Sequence, residues 1–310
     1  MHLINQIRKL LFGLALACGL LSSCSAPTEK ATNQSLQLTD DLGNKIIMPH
    51  APHTVVSLSP AMTEMLFAVC ADSQILAVTS ICNYPEAVKN KKKISAYPLD
   101  IETIVGLKPD IIFTEEGMTS PENAEKLKSL GIPVYFQRYV TASDLLADLR
   151  MMGNLMQQPE KTTHVLDSLE AELRTFEAEA QMPKTRPKVL AITWQNPIYA
   201  YGKNTLMTDK IRLAGGENAI DTVFAKIYPE LMREYILKMN PDVIFGGTFG
   251  KMDSTFFSLY PELKQVNAYR NKCVYELNDD LTSRPSPRVL ESVREIKKVL
   301  ASCPAAQPKQ

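Results

Sequence analysis

One pattern occurs twice in this chain and constrains its fold more than any other feature. IETIVGLKPDIIF starts at Ile101 and REYILKMNPDVIF at Arg233, which puts Glu102 and Glu234, Pro109 and Pro241, and Asp110 and Asp242 in matching places 132 residues apart. In each copy the apolar spacing predicts a short helix. Proline then stops it, because its ring clashes with the preceding turn and it has no N–H to donate. An apolar run follows and predicts a buried strand.

The surroundings of the two copies also match. The first is preceded by a strand candidate (Val55 to Ser59), a helix opened by Pro60 with Met62, Met65, Leu66 and Val69 at helical spacing, and a second strand (Ile75 to Ser80). It is followed by the helix ENAEKLKSLG and the strand PVYFQ. From Val189 the order recurs as VLAIT, a small-residue turn, TLMTDKIRLAGG, the second copy, and CVYEL. Strands alternating with helices predict parallel sheets with crossover helices, and repetition of the order predicts a duplicated architecture. The fold class is therefore α/β, with two Rossmann-like lobes over residues 51–140 and 185–303.

The intervening helical region, 141–184, contains PEKTTHVLDSLEAELRTFEAEA. Val165, Leu166, Leu169, Leu173 and Phe176 form one apolar stripe there, which predicts a single long helix resting on both lobes. Lobes joined by one stiff helix are expected to move little relative to each other.

Basic and acidic residues balance at 34 each. A nucleic-acid partner would call for a basic excess, and there is none. The first 23 residues hold Arg8 and Lys9 and no acid, then the uncharged run from Leu10 to Leu21, then small residues. This is the pattern of an export signal, and twelve apolar residues are too few to span a bilayer, which takes about 20. The sequence LSSC ending at Cys24 predicts a bacterial lipoprotein signal with Cys24 as the lipidated first residue. A polar tether and entry segment over residues 24–50 would leave the mature chain anchored to the lipid bilayer and facing the periplasm or cell surface. Beyond Cys303 the tail, 304–310, is expected to be disordered.

Export implies an oxidising compartment, so Cys70, Cys82, Cys273 and Cys303 are disulfide candidates. Proximity in sequence favours Cys70 with Cys82 and Cys273 with Cys303. Buried free thiols are the alternative. No CxxC or short Cys/His cluster points to zinc.

Motifs for covalent or phosphate chemistry are missing from the sequence. It holds no GxSxG, HExxH or GxGxxG, and GGTFGK (Gly246 to Lys251) departs from a phosphate loop at both diagnostic places. His50, His53 and His164 do not pair on a helix face, so no metal site of the protein's own is expected. The ligand is expected to bring its own chemistry, the chain to be no enzyme, and no catalytic residue is assigned.

Several segments together resemble a known family: VVSLSPAMTEMLFA, VTSICNYPEAV, IETIVGLKPDIIF, KLKSLGIPVYF, LAGGENAI, REYILKMNPDVIF and SRPSPRVLESV. Over Thr54 to Leu300 the chain resembles the rigid-helix class of periplasmic substrate-binding proteins that serve ABC importers of cobalamin, ferric siderophores and haem. Within that class the cobalamin receptors are the most similar. The resemblance implies a monomeric receptor without a cofactor of its own, whose partners are the permease subunits and a metal-chelate ligand. It implies that Glu102 and Glu234 dock on permease arginines, one from each lobe, as solvated first-turn acids can.

For the ligand it implies aromatic walls and an amide-binding acid. Tyr97, Tyr228 and Asp280 fall at matching places, and Trp194 lies one position from another. Ile81 and Thr114 replace aromatic residues of the family pattern. Arg138 and Arg284 stand at strand ends; facing the cleft they would favour an anionic iron chelate or haem, and paired with acids such as Asp279 they would not. Two further readings are an extracytoplasmic metal-cluster enzyme on the same lobes, which would need clustered cleft cysteines, and a surface protein that hands ligand to another receptor.

Overall fold

A computed structural model describes residues 35–182, 185–247 and 254–304. Cys24, the export signal and most of the tail lie outside the described residues, and GGTFGK lies largely outside them. The N-terminal lobe is built on one parallel sheet of β3 (Val55–Ser57), β4 (Ile75–Thr79), β5 (Lys92–Ile94), β6 (Ile111–Glu115) and β7 (Val134–Gln137), in the order β5-β4-β3-β6-β7. In the C-terminal lobe β8 (Lys188–Gln195), β10 (Glu217–Asn218), β11 (Val243–Gly246) and β12 (Val274–Glu276) run parallel in the order β10-β8-β11-β12. β9 (Ile198–Ala200) pairs antiparallel with β8. The α/β fold of two lobes with central parallel sheets is thus the one expected.

The duplicated unit has the same local form in both lobes. The helices Ile101–Leu107 and Arg233–Met239 are each seven residues long and end in a left-handed residue, Lys108 (φ 50°) or Asn240 (φ 46°). Each is followed by a buried proline. The backbone N–H of the next aspartate then reaches back to the lobe's first strand segment, Asp110 to the Thr54 carbonyl and Asp242 to that of Lys188.

A single helix, Pro159–Ala180, forms the strut between the lobes. Its buried residues Leu166, Leu173 and Phe176 belong to the predicted stripe. They share one apolar cluster with Val55 and Phe113 of the first lobe and Val189 and Phe245 of the second. The strut packs on Ala142–Leu155, on Pro60–Val69 and, from the other lobe, on Leu206–Leu213 and Val289–Ser302. Where it leaves the preceding helix the Thr162 side chain packs directly on Gly153: a Cβ there would lie 1.7 Å from Thr162 Oγ1, so only glycine fits. Lys161 caps the carbonyls of Phe67 and Cys70 on one lobe, while Glu172 and Glu179 bind Arg294 and Lys297 on the other.

Two features differ from expectation. Within the segment read as tether and entry, β1 (Leu36–Thr39) and β2 (Lys45–Met48) form an antiparallel hairpin. It is docked by Asp40, whose carboxylate accepts from the Phe136 N–H, and by Asp41, which accepts from the Arg138 N–H. Buried Ile46 and Met48 join the main apolar cluster.

The cysteines divide unequally. Cys273 and Cys303 form a disulfide with Cα atoms 5.4 Å apart, whereas Cys70 and Cys82 are free and buried. The Cys70–Cys82 pairing fails because the two thiols sit at opposite ends of the Pro60–Val69 helix. Cys82 contacts Thr63 in its first turn, and Cys70 caps its last. Seven residues of helix separate those ends by about 10 Å.

Candidate functional site

In each sheet the strand order reverses at one point, between β3 and β6 in the first lobe and between β8 and β11 in the second. Ligands of open parallel sheets bind outside the carboxyl ends of the strands at such points. A cavity of about 600 Å³ lies there, walled by both lobes. That is within the range of about 300–1,000 Å³ common for small-molecule sites.

The N-terminal wall comes from the ends of β6 and β7 and the turn after β4, and includes Glu115, Glu116, Arg138, Tyr139 and Ile81. The C-terminal wall comes from Tyr201 just after β9, the start of the Leu206–Leu213 helix, Ile227 and Tyr228, and the segment from Asp279 to Pro285. Tyr228 is 47% exposed and meets Tyr201 edge to face, with ring centroids 5.6 Å apart. The Tyr201–Tyr228 pair thus lies on the C-terminal side, and both walls carry charged side chains.

Most of the cavity's charges are already matched. Arg138 makes a two-pronged pair with Glu116, both bonds 2.6 Å. Arg284 donates to Glu64 at 3.0 Å, to Asn83 at 2.7 Å and to Asp280 at 2.5 Å. Arg288 adds bonds of 2.8 and 2.6 Å to Glu64 and stacks over Tyr84, 4.2 Å from the ring centroid.

Glu64 is the centre of this network, its side chain only 1% exposed. It belongs to the first lobe and both arginines to the second, so the network is a clasp across one end of the cleft. The buried Lys210 ammonium donates to the carbonyls of Thr282 and Arg284, and burial pulls its pKa down to about 7 against the attraction of Glu64. Burial likewise pushes Glu115, on the N-terminal wall, up to about 7, although the Ser59 hydroxyl and Arg284 oppose it.

Of the five ligand-binding residues inferred from the sequence, Tyr228, Asp280 and Arg284 are brought together in the cavity. Tyr97 is not in its wall; it projects from the turn between Ala96 and Leu99 and is 97% exposed. Trp194 is not in the wall either. It is 46% exposed at the end of β8, and its indole N–H donates to the Asn196 carbonyl at 2.8 Å. Thr114 is buried and bonded to Thr119, so it fills sheet space rather than cleft.

Arg138 and Arg284 do face the cavity, and both pair with acids, though neither with Asp279. Glu102 and Glu234 are exposed in the first turns of their helices. Sequence reasoning did not single out Glu64, Glu115, Tyr201 or Lys210. For Glu64 the available signal was a lone charge inside an apolar helical stretch, AMTEMLFAV; Lys210 stands between Asp209 and Arg212 in TLMTDKIRL and had no such signal.

Comparison with known proteins identifies the class. The family model for periplasmic binding proteins matches residues 55–281, and the chain belongs to that family. It is a substrate-binding protein of an ABC transporter, an extracytoplasmic solute carrier and not an enzyme. It is 27% identical to a vitamin B12-binding protein of Vibrio vulnificus over 250 residues, covering 80% of this chain and 90% of that one. It is 25% identical to an uncharacterized ABC transporter substrate-binding lipoprotein, YvrC, of Bacillus subtilis, covering 91% and 93%.

Among solved structures it is similar to the vitamin B12-binding protein BtuF of Vibrio cholerae, with TM-score 0.71 at 22% identity, covering 81% of this chain and 97% of that one. It is equally similar to the haem-binding protein RhuT of Roseiflexus, with TM-score 0.70 at 23% identity, covering 82% and 99%. The metal-cluster alternative loses its basis, because the family carries solutes and Cys70 and Cys82 stand apart.

Proposed function

We propose that this protein captures cobalamin or a related corrinoid in the interlobe cavity and delivers it to a membrane permease. The observation that carries the reading is the charge state of the wall. Arg138 and Arg284 are each committed to carboxylates, and Lys210 to backbone carbonyls. An anionic siderophore would need free cations, whereas a corrinoid presents a broad apolar face and neutral amides. Tyr201 and Tyr228 suit the face, since aromatic rings bury large area at low entropic cost.

Haem is the second reading, and the wall disfavours it. A haem iron held by the protein takes an imidazole, alone or together with a methionine thioether, or a thiolate or phenolate. The cavity lining among the described residues includes no histidine or cysteine, and burial raises the pKa of its three tyrosines, Tyr139, Tyr201 and Tyr228, which keeps them protonated.

Titration of the purified protein with cyanocobalamin, haem and a ferric siderophore, followed by Trp194 fluorescence, tests this proposal. Saturable binding of cyanocobalamin, weakened about tenfold by Tyr228→Ala, is the expected result. Binding of an iron chelate with no response to cobalamin would reverse it.

Anchoring and docking complete the proposal. Cys24 carries the lipid, so palmitate labelling should disappear in Cys24→Ala. The YvrC relative is itself described as a lipoprotein. Glu102 and Glu234 meet arginines of the permease. Their equivalent, exposed positions on the duplicated helices support this, and Glu102→Ala with Glu234→Ala should abolish uptake while leaving ligand affinity unchanged.

A further inference from the structure

We propose that Glu115 and Asp279 set the specificity of the cavity, accepting N–H donors from neutral primary amides on the ligand and rejecting the same ligand where it carries a carboxylate instead. This deepens the corrinoid reading and rests on it. Four carboxylates line the cavity: Glu115, Glu116, Asp279 and Asp280. Arg138 takes Glu116 and Arg284 takes Asp280. Asp280, the acid that the family resemblance suggested for an amide, is further occupied by Asn83, whose side-chain amide donates to it at 2.7 Å. Glu115 and Asp279 form no ion pair among the described residues, and they face the cavity from opposite lobes.

Both positions are held in place. Glu115 ends β6 in register with Gln137 of β7. Beside it the side-chain amide oxygen of Gln137 is buried without a hydrogen-bond partner, and so is the Tyr139 hydroxyl, which can both accept and donate. Asp279 packs on Gly247 so closely that a Cβ there would lie 2.3 Å from its Oδ1. This part of the cavity therefore holds a surplus of acceptors, and acceptors withdrawn from water without donors are costly. Amide N–H groups would satisfy them. A ligand carboxylate would bring further acceptors and a negative charge to a region short of donors and free cations.

The test compares cyanocobalamin with its monocarboxylic acids, in which one peripheral amide has been hydrolysed, on the wild type, Glu115→Gln, Asp279→Asn and the double variant. The wild type should bind at least one of the acids about tenfold more weakly than the amide. Each single variant should narrow that ratio and the double variant should abolish it; a purely structural defect would weaken amide and acid alike. Equal binding of amide and acids by the wild type, or an unchanged ratio in the double variant, overturns the proposal.

If the wild type binds no corrinoid, the corrinoid reading fails separately. Haem and its bis-amide then serve as the pair. Tighter binding of the bis-amide sustains the role of the two acids, and equal or tighter binding of haem removes it. Failure of all four probes to bind overturns both.

Discussion

In the N-terminal lobe the aspartate of the duplicated unit accepts three hydrogen bonds from one neighbouring segment: from the His53 and Thr54 N–H groups and the Thr54 hydroxyl, at 2.8, 2.9 and 3.0 Å. In the C-terminal lobe its counterpart divides its carboxylate. Asp242 accepts from the Lys188 N–H with one oxygen and from the Asn267 side-chain amide with the other, each at 3.0 Å. The shared feature is the backbone contact from the aspartate to the preceding strand segment, and the side chain is free to find different partners around it.

The lobes also secure their edges differently. The second closes its last strand to its last helix with Cys273–Cys303, and the first packs two unlinked thiols and gains a docked hairpin. A duplicated frame therefore keeps its main-chain junctions, while each half evolves its own bracing and its own side of the cavity.

The comparison breaks most severely where the lobes depend on each other. Glu64→Ala would leave Arg288 without its carboxylate and Arg284 with Asp280 alone, and should cost about 3 kcal/mol in urea denaturation. Replacing Cys273 and Cys303 by serine should cost about 2–4 kcal/mol, and a reducing agent should reproduce that loss in the wild type but not in the double serine variant. The paired variants Asp110→Ala and Asp242→Ala sharpen the comparison further. Three bonds against two predict about 2 kcal/mol for the first and about 1 kcal/mol for the second.

An effect as small as that of Asp242→Ala concerns Glu115. Its folded-state pKa of about 7 lies above the ordinary 4.5, so folding takes up a proton between those values and stability falls as pH rises through that window. Glu115→Gln should therefore raise stability at pH 8 by about 1 kcal/mol, discounted because the group lines an open cavity, and leave it unchanged at pH 4. Thermal melts at the two pH values check the sign.

Features written in neighbouring residues were readable from the sequence. Pro109 and Pro241 mark helix stops, and the spacing of Leu166, Leu173 and Phe176 marks the strut. Features made by distant residues meeting in space were not. Glu64 and Arg284 are 220 positions apart, and no local pattern announces that an acid in an apolar helix is waiting for two arginines of the other lobe. Proximity in sequence paired Cys70 with Cys82 although a helix holds their thiols apart. The strands of the hairpin are four residues each, too short for periodicity to separate them from a tether. Asp280 was legible as a cleft acid, but its commitment to Asn83 and Arg284 depends on a fold that brings the first lobe's turn against the second lobe's loop.

The network around Glu64 bears on how this chain comes into being. The carboxylate of Glu64 comes from the first lobe, and the bases that neutralise it, Arg284 and Arg288, come from near the end of the chain. Severed at the strut, the first half would lose both bases that compensate Glu64, and the second would lose the carboxylate of Arg288. The two would be obligate companions in folding, unlike tandem domains that survive being cut apart, and co-expressed fragments should recover a native molecule only together.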